Sequence, residues 1–231
     1  MRPGLESSLS SSGQEIFDAL RDDIVFGRLN PRERLVEADL VSRFGSHRAA
    51  VREALAALEH AGLVDRQRNK GASVLDLKPE RVEQLYAVRI LLETTAVEAI
   101  PLPLDSAALD MLVAIQREHQ EAVASNDLRR IFNHNNRFHG TLYTQSGNLV
   151  LVEMIEQCAT RALTVRFHPY MDRGFLERVC SDHWEMIDAC RRCDRAGLVA
   201  LVRDHLPLAK NRYLDTYDQL LVQGGVLALH P

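Results

Sequence analysis

VEADLVSRFGSHRAAVREALAALEHAGLVDRQRNKGASV, residues 36–74, is the segment that decides the fold. Its first part predicts a short amphipathic helix over Glu37–Phe44. Gly45 ends this helix, because glycine accepts the left-handed conformation that a tight interhelical turn requires. A second helix is predicted over His47–Ala61, where apolar residues recur every three to four positions along one face. Gly62 fits the position just beyond the end of that helix.

A predicted β-hairpin with a basic tip follows the two helices. Short runs with apolar residues, Leu63–Gln67 and Ala72–Leu75, flank the tip Arg68-Asn69-Lys70-Gly71. From Arg43 to Lys70 the chain holds six Lys/Arg against three Asp/Glu, a net charge of +3 in a protein of net charge −4. The alternative is a small helical domain with a solvated basic face. Two helices, a tight turn and a basic hairpin together favour a DNA-binding winged helix-turn-helix.

The N-terminal end of the second helix is the predicted DNA-reading surface. A helix fits the major groove of DNA with its N-terminal side chains facing the base edges. Arg48 and Arg52 are four residues apart near this end, where they are placed to contact bases or phosphates. Basic side chains of the hairpin tip would lie on the DNA backbone or in the minor groove. The predicted DNA-binding residues are His47, Arg48, Ala49, Arg52, Arg68, Lys70 and Gly71.

Three motifs carry a family resemblance: A-V-R-E-A-L at 50–55, L-x-x-A-G-L-V at 58–64 and N-x-G-A-x-V at 69–74. In this order and spacing they resemble the winged helix of GntR-type transcriptional regulators. Such proteins commonly carry Ser-Arg-Thr-Pro where this chain has His-Arg-Ala-Ala at 47–50, a difference that bears on operator preference rather than on the fold. L-Y-x-V-R-x-x-L-E at 85–93 resembles the start of the FCD-type effector domain of the same superfamily. The resemblance covers about residues 14–220.

Composition is that of an ordinary globular protein with two domains. The chain has 231 residues, 46% hydrophobic and 26% charged. No apolar run approaches the roughly 18 residues of a membrane span, and the N-terminus lacks the apolar core of a secretory signal. A cytoplasmic protein without a membrane partner is therefore expected. The predicted divisions are a disordered lead over 1–13, a winged helix-turn-helix over 14–77, an all-helical effector-binding and dimerisation domain over 79–222, and a tail over 223–231.

The predicted fold class is mainly α, with the winged helix followed by an all-α bundle of six helices. A first helix over Gln14–Phe26 is expected to pack against the two reading helices, and Leu29–Leu35 is predicted as a turn. Pro79 begins the bundle, since proline is tolerated in the first turn of a helix. The predicted bundle helices are Pro79–Ile100, Ser106–Ser125, Leu128–Gln145, Leu149–Phe167, Arg173–Cys193 and Arg195–Leu221.

Three histidines on different predicted helices, His139, His183 and His205, are flanked by apolar positions. Asn135 lies four residues before His139, so the two side chains share a helix face. Imidazoles that converge inside a helical bundle can bind a divalent metal such as Zn²⁺ or Ni²⁺. The FCD resemblance implies the same site, because an Asp-x-x-x-His pair and two later histidines bind a divalent metal in that family. Asn135 stands where Asp is common, and the predicted metal ligands are Asn135, His139, His183 and His205.

Arginines near such a metal are candidates for binding the carboxylate of an effector. Arg89 could hold a carboxylate through two parallel hydrogen bonds. The alternative for Arg89 is an internal salt bridge to Glu93, one helical turn away. Arg161 and Arg166 are weaker candidates on the same argument. The predicted effector-binding residues are Arg89 and Arg161.

These features predict a ligand-responsive transcription regulator, expected to be a repressor, whose helical domain binds a small organic acid at a divalent metal. A homodimer is expected, because two identical domains read two operator half-sites. One alternative is a metal-dependent helical enzyme with an accessory N-terminal domain. Against it, Asp182 and Asp204 directly adjoin His183 and His205, and adjacent helical positions point about 100° apart. A further alternative is a metal that only holds the bundle together.

Overall fold

The structure, a computed structural model, describes residues 9–67 and 71–226. Residues 1–8 of the predicted lead, Arg68 and Lys70 of the predicted hairpin tip, and residues 227–231 of the predicted tail lie outside the described residues. The chain divides into two compact units. One unit comprises Glu80–Tyr213, and the other comprises the chain before Glu80 together with the chain from Leu214 onward.

The first unit is a winged helix, as predicted. Its helices and strands are α1 (Ser11–Val25), β1 (Arg34–Leu35), α2 (Glu37–Phe44), α3 (Arg48–His60), β2 (Val64–Gln67) and β3 (Gly71–Val74). The strands form an antiparallel sheet in the order β1-β3-β2, with Leu35 opposite Ala72 and Val64 opposite Val74. Strand β1 lies in the segment predicted as a turn. It has only two residues and pairs with a strand far along the chain, so no local alternation marks it.

Helix α1 begins three residues earlier than predicted, because Ser10 caps it. The Ser10 hydroxyl accepts a hydrogen bond from the backbone N–H of Gly13 at 3.1 Å. The same hydroxyl donates to the Glu53 carboxylate on α3 at 2.7 Å. Residues 11–13 are therefore helical and do not belong to the predicted lead. Apolar side chains of α1 and α3 form the core of this unit; the larger buried ones include Ile16, Leu20, Ile24, Val51, Leu55 and Leu58.

Helices make up the second unit, and the last of them extends beyond Tyr213. The mainly α fold class is confirmed. These helices are α4 (Pro79–Glu98), α5 (Ser106–Ala124), α6 (Leu128–Thr144), α7 (Leu149–Arg161), α8 (Leu163–Phe167), a short 3₁₀ helix (His168–Met171), α9 (Arg173–Arg191) and α10 (Arg195–Val226). The single helix predicted over Leu149–Phe167 is divided at Ala162, whose φ of −95° and ψ of 8° leave the helical range. In the described part of the chain, seven α-helices therefore follow the wing instead of six.

The core of the bundle is apolar except for one group of buried polar side chains. Large buried side chains fill most of it, among them Leu112, Phe138, Leu142 and Met186. Buried polar side chains interrupt this core on α4, α5, α6 and α9, and they include Arg89, Glu93, Gln116, His119, Asn135, Asp182 and His183. Burying a polar group costs free energy unless it has a hydrogen-bond partner, so this group of polar side chains marks the candidate site. Within the described residues, no helix combines the length and apolar character needed to cross a bilayer.

Candidate metal and effector site

Three histidines from three helices converge inside the bundle. His139 comes from α6, His183 from α9 and His205 from α10, and one ring nitrogen of each lies within 4.8 Å of the others. The Nε2 atoms of His139 and His183 are 3.2 Å apart. The structure thus brings together the three histidines that the sequence singled out.

The opposite ring nitrogens of His183 and His205 are held by partners on other residues. His183 Nδ1 lies 2.8 Å from Gln116 Oε1, and Gln116 Nε2 donates to the backbone oxygen of Cys180 at 3.2 Å. This second bond fixes Oε1 as an acceptor, so His183 Nδ1 carries the proton. His205 Nδ1 likewise donates to Asp182 Oδ2 at 2.9 Å. With the Nδ1 proton directed at these acceptors, the neutral form of each ring has its lone pair on Nε2.

His139 has the same tautomer, set by a buried tyrosine. Tyr143 Oη donates to Glu93 Oε2 at 2.6 Å, which leaves the Tyr143 oxygen to accept from His139 Nδ1 at 3.3 Å. The Nε2 lone pairs of His139 and His183 therefore face each other, and lone pairs 3.2 Å apart repel unless a cation or a proton lies between them. Metal-bound histidines typically have their second ring nitrogen anchored in this way. These residues therefore fit a divalent metal.

Burial keeps the imidazoles of His139 and His183 neutral. It lowers the pKa of His139 and of His183 well below the usual 6.5, and the neighbouring histidines lower both pKa values further. His119, whose ring centroid lies 5.2 Å from that of His183, has its pKa lowered by burial to about 4. Neutral imidazole is the form that binds a metal.

We expect acid to destabilise the metal-free protein. A histidine whose pKa is lower in the folded state binds fewer protons there than in the unfolded chain, so the free energy of unfolding is highest above pH about 6.5 and falls below it. Each such histidine contributes a slope of about 1.4 kcal/mol per pH unit between the two pKa values. Urea unfolding between pH 7.5 and 5 measures this slope.

A matched pair of variants assigns the slope to the buried rings. His119→Gln should reduce the slope, whereas His60→Gln, which changes an exposed residue on α3, should leave it unchanged. A free energy of unfolding that stays constant from pH 7.5 to 5 in the metal-free protein would contradict this prediction.

A cavity of about 40 Å³ lies beside the histidines. Its wall includes Tyr86, Arg89, Asn135, His139, Arg166 and His205. Asn135 is buried one helical turn before His139 and lines the same cavity as His139 and His205. Three of the four predicted metal ligands, Asn135, His139 and His205, therefore line one small space together with two arginines, and His183 contacts His139 from outside this wall.

The arginines at this cavity differ in part from the predicted set. Arg89 lines the cavity, and its Nε also donates to Glu93 Oε1 at 2.9 Å, so the alternative of an internal salt bridge is present as well. Arg161 is exposed at the end of α7 and does not line the cavity. The interruption at Ala162 starts a new helix, and Arg166 on that helix lines the cavity. Arg166 therefore replaces Arg161 as the second candidate.

The predicted DNA-reading surface has the expected exposure. His47, Arg48, Ala49 and Arg52 are all exposed at the start of α3. His47 caps this helix, because its Nδ1 accepts from the backbone N–H of Ala50 at 3.1 Å. Arg52 Nε donates to Glu37 at 2.9 Å in an exposed ion pair, which is worth little and leaves the side chain available. Gly71 is exposed at the start of β3 with a φ of 88°, whereas Arg68 and Lys70 lie outside the described residues.

Three supporting residues of the site were not predicted. Gln116 on α5 lies on the same buried face as Leu112 and Ile115, and a polar residue on an apolar face was the available signal. Asp182 was set aside because it adjoins His183 and points away from it, but it binds His205 from another helix instead. Tyr143 follows His139 by one helical turn, and it orients His139 only because its hydroxyl also donates to Glu93 of α4. The sequence does not show that Glu93 lies beside Tyr143.

Two family models match the chain. Residues 12–74 match bacterial regulatory proteins of the gntR family, and residues 84–207 match the FCD domain. The chain belongs to the GntR family of transcriptional regulators. This GntR regulator is 27% identical over 236 residues to the gluconate operon transcriptional repressor of Bacillus subtilis, covering 94% of the chain and 92% of that protein. It is 27% identical over 192 residues to the HTH-type transcriptional regulator YdhC of Bacillus subtilis, covering 83% and 86%.

Its fold also matches solved structures of regulators. The structure of McbR/YncC of Escherichia coli covers 91% of this GntR regulator over 99% of its own length, with a TM-score of 0.72 and 22% identity. The families and relatives are transcriptional regulators, not enzymes, so the prediction that the chain is not an enzyme is confirmed. GntR regulators bind operator DNA and typically act as dimers, and FCD domains often bind metal.

Proposed function

We propose that this GntR regulator is a cytoplasmic homodimeric repressor that responds to a small organic acid bound at a divalent metal. The observation that carries the proposal is the convergence of one ring nitrogen from each of His139, His183 and His205 beside a cavity that also contains two arginines. Nitrogen donors that face one another without an acidic proton between them suit Zn²⁺ or Ni²⁺.

Asn135, His139, His183 and His205 would hold the metal, which when bound supplies a Lewis-acidic position for a carboxylate oxygen. The remaining residues orient these ligands. Gln116 and Asp182 fix the rings of His183 and His205, and Tyr143 fixes the ring of His139. Arg89 supplies donors to a carboxylate from the cavity wall, since Glu93 occupies its Nε and leaves its terminal nitrogens.

The winged helix would read the operator. The exposed side chains of His47, Arg48 and Arg52 stand at the start of α3, the end of a helix that faces base edges in the major groove. Two copies in a homodimer would read two half-sites. The acid changes DNA affinity only if it binds more tightly to one arrangement of the two reading helices than to the other.

The test of DNA binding is an electrophoretic shift with the DNA upstream of the protein's own gene at low salt. We expect Arg48→Ala and Arg52→Ala each to weaken binding by about 10- to 100-fold, because each removes a base or phosphate contact. Arg117→Ala, which removes an exposed arginine of α5 in the other unit, is the matched control and should change affinity less than threefold. Loss of binding in the control, or none in the α3 variants, would contradict the assignment.

The response to metal and acid is tested in the same assay. The metal-loaded protein should release the operator when a small carboxylic acid is added, and the chelated protein should not respond to the acid. If chelation melts the bundle and no acid changes its melting temperature, the metal only holds the bundle together and the sensor function fails.

A further inference from the structure

The candidate site contains little negative charge of its own. Asn135 brings a neutral amide, and histidine binds a metal as the neutral imidazole. Glu93 is already engaged with Arg89 and Tyr143. The ligand set would therefore leave the two positive charges of a divalent metal uncompensated, and an anion bound in the cavity would compensate them.

The other nearby carboxylate is also engaged. Asp182 Oδ1 accepts from Arg178 Nε at 2.6 Å while Asp182 Oδ2 accepts from His205. The charge of Asp182 is shared between the guanidinium of Arg178 and the ring of His205. Asp182 contacts His205 but does not line the cavity. Asp182 therefore orients a ligand and does not neutralise the cavity.

Arg166 adds a further positive charge to the cavity wall. Its Nη2 donates to the amide oxygen of Asn136 at 2.7 Å, and its guanidinium lies 5.5 Å from the ring centroid of Phe167. Among the described residues no carboxylate lies within ion-pair distance of Arg166, in contrast to Arg89. A desolvated guanidinium without a counter-charge is unfavourable, and an anion in the cavity would relieve it.

Tyr86 lines the same cavity, and its hydroxyl is buried. The residue is 1% exposed, and its Oη has no hydrogen-bond partner among the described residues. The guanidinium of Arg89 lies 4.7 Å from the centroid of the Tyr86 ring. A buried hydroxyl without a partner is costly, so Tyr86 Oη is a donor that an acidic ligand would satisfy.

We propose that Arg166 and Tyr86 form a second anion-binding subsite, so that the effector of this regulator is a short dicarboxylic acid. One carboxylate would be held at the histidine cluster and the other by Arg166 and Tyr86. This inference rests on the proposed function and specifies its ligand class. A monocarboxylate would leave Arg166 without a counter-charge, whereas a dicarboxylate supplies both acidic groups from one molecule.

The size of the cavity limits the ligand to short acids. Its volume is about 40 Å³, and one buried water needs at least about 10–15 Å³. The cavity therefore has room for about three to four water-sized groups. A space of this size favours short diacids, such as those of three or four carbons, over long-chain acids.

The experiment is calorimetric titration of the full-length, zinc-loaded protein with acids matched in carbon number. Succinate is compared with butyrate, and malonate with propionate. We expect at least one diacid to bind more than about tenfold more tightly than its monoacid, as a charge-assisted contact to Arg166 implies. In Arg166→Gln this preference should fall to about twofold or less, and Tyr86→Phe should reduce it in part.

Arg161→Gln is the matched control, since Arg161 is an exposed arginine five residues away that does not line the cavity. It should keep the full preference for the diacid. Equal affinity of the wild-type protein for diacids and monoacids would overturn the inference and leave the acid sensor intact. Binding of no acid at all would defeat the proposed function together with the inference. If Arg166→Gln does not fold, the ratio of diacid affinity to monoacid affinity in the wild-type protein still tests the inference.

Discussion

His139→Ala will leave the purified protein without bound metal. The substitution removes one of three nitrogen donors that lie within 4.8 Å of one another, and none of the described carboxylates lines the cavity to take its place. Changes in the groups that only orient a metal ligand weaken affinity by about 10- to 100-fold, so loss of the ligand itself should exceed this range. Elemental analysis after dialysis should fall from about one Zn²⁺ or Ni²⁺ per chain to near zero.

His134→Ala is the control for the metal experiment. His134 is on the same helix as His139 but faces Glu118, 3.2 Å from its Nδ1, and is outside the histidine cluster. It should retain the full equivalent of metal. Two outcomes would contradict the prediction: a wild-type protein that binds no metal, or a His139→Ala variant that keeps its metal. Either would show that His139, His183 and His205 form a polar core and not a metal site.

Glu93→Gln will destabilise the bundle by about 3–5 kcal/mol, the usual cost of removing one partner of a buried ion pair. Arg89 and Glu93 have side chains only 5% and 2% exposed, and the carboxylate also accepts from Tyr143 Oη. The glutamine keeps the shape of the side chain but leaves the Arg89 charge uncompensated in the interior. Urea unfolding monitored by circular dichroism at pH 7.5 measures the change.

The control for this prediction has the same local geometry in solvent. Arg173 and Glu177 are also four residues apart and 2.9 Å from each other, but their side chains are 72% and 61% exposed. Glu177→Gln should therefore change the free energy of unfolding by less than about 0.5 kcal/mol. A double substitution, Arg89→Met with Glu93→Leu, should be less damaging than Glu93→Gln alone, because it removes both charges. Equal effects of Glu93→Gln and Glu177→Gln would contradict the buried ion pair.

The winged helix was predictable because its signals are local. Gly45 has the positive φ that its turn needs, and the apolar periodicity of α3 gives its buried face directly. The predicted beginning of α1 was three residues too late. Ser10 caps the helix and also donates to Glu53 on α3, and the local sequence does not reveal this contact with another helix. Strand β1 was missed because its pairing with β3 joins residues far apart in the sequence.

The candidate site was predictable in its histidines and in Asn135 and Arg89, which line the same cavity. Their positions came from a family motif, whereas the groups that orient them depend on packing between helices. Asp182 illustrates the difference, since it turns away from its neighbour His183 and reaches His205 on α10. Arg166 reaches the cavity because the backbone leaves the helical range at Ala162, and alanine, which favours helix, gives no sign of such a break.

The cap of α3 determines what one of its side chains can offer to DNA. His47 Nδ1 accepts the Ala50 N–H, so the neutral ring carries its proton on Nε2, and Nε2 is the nitrogen left for a partner outside the helix. His47 is therefore a hydrogen-bond donor and not an acceptor at the protein surface. In the major groove it can address guanine N7 or O6, adenine N7 or thymine O4, but it cannot accept from the amino group of cytosine.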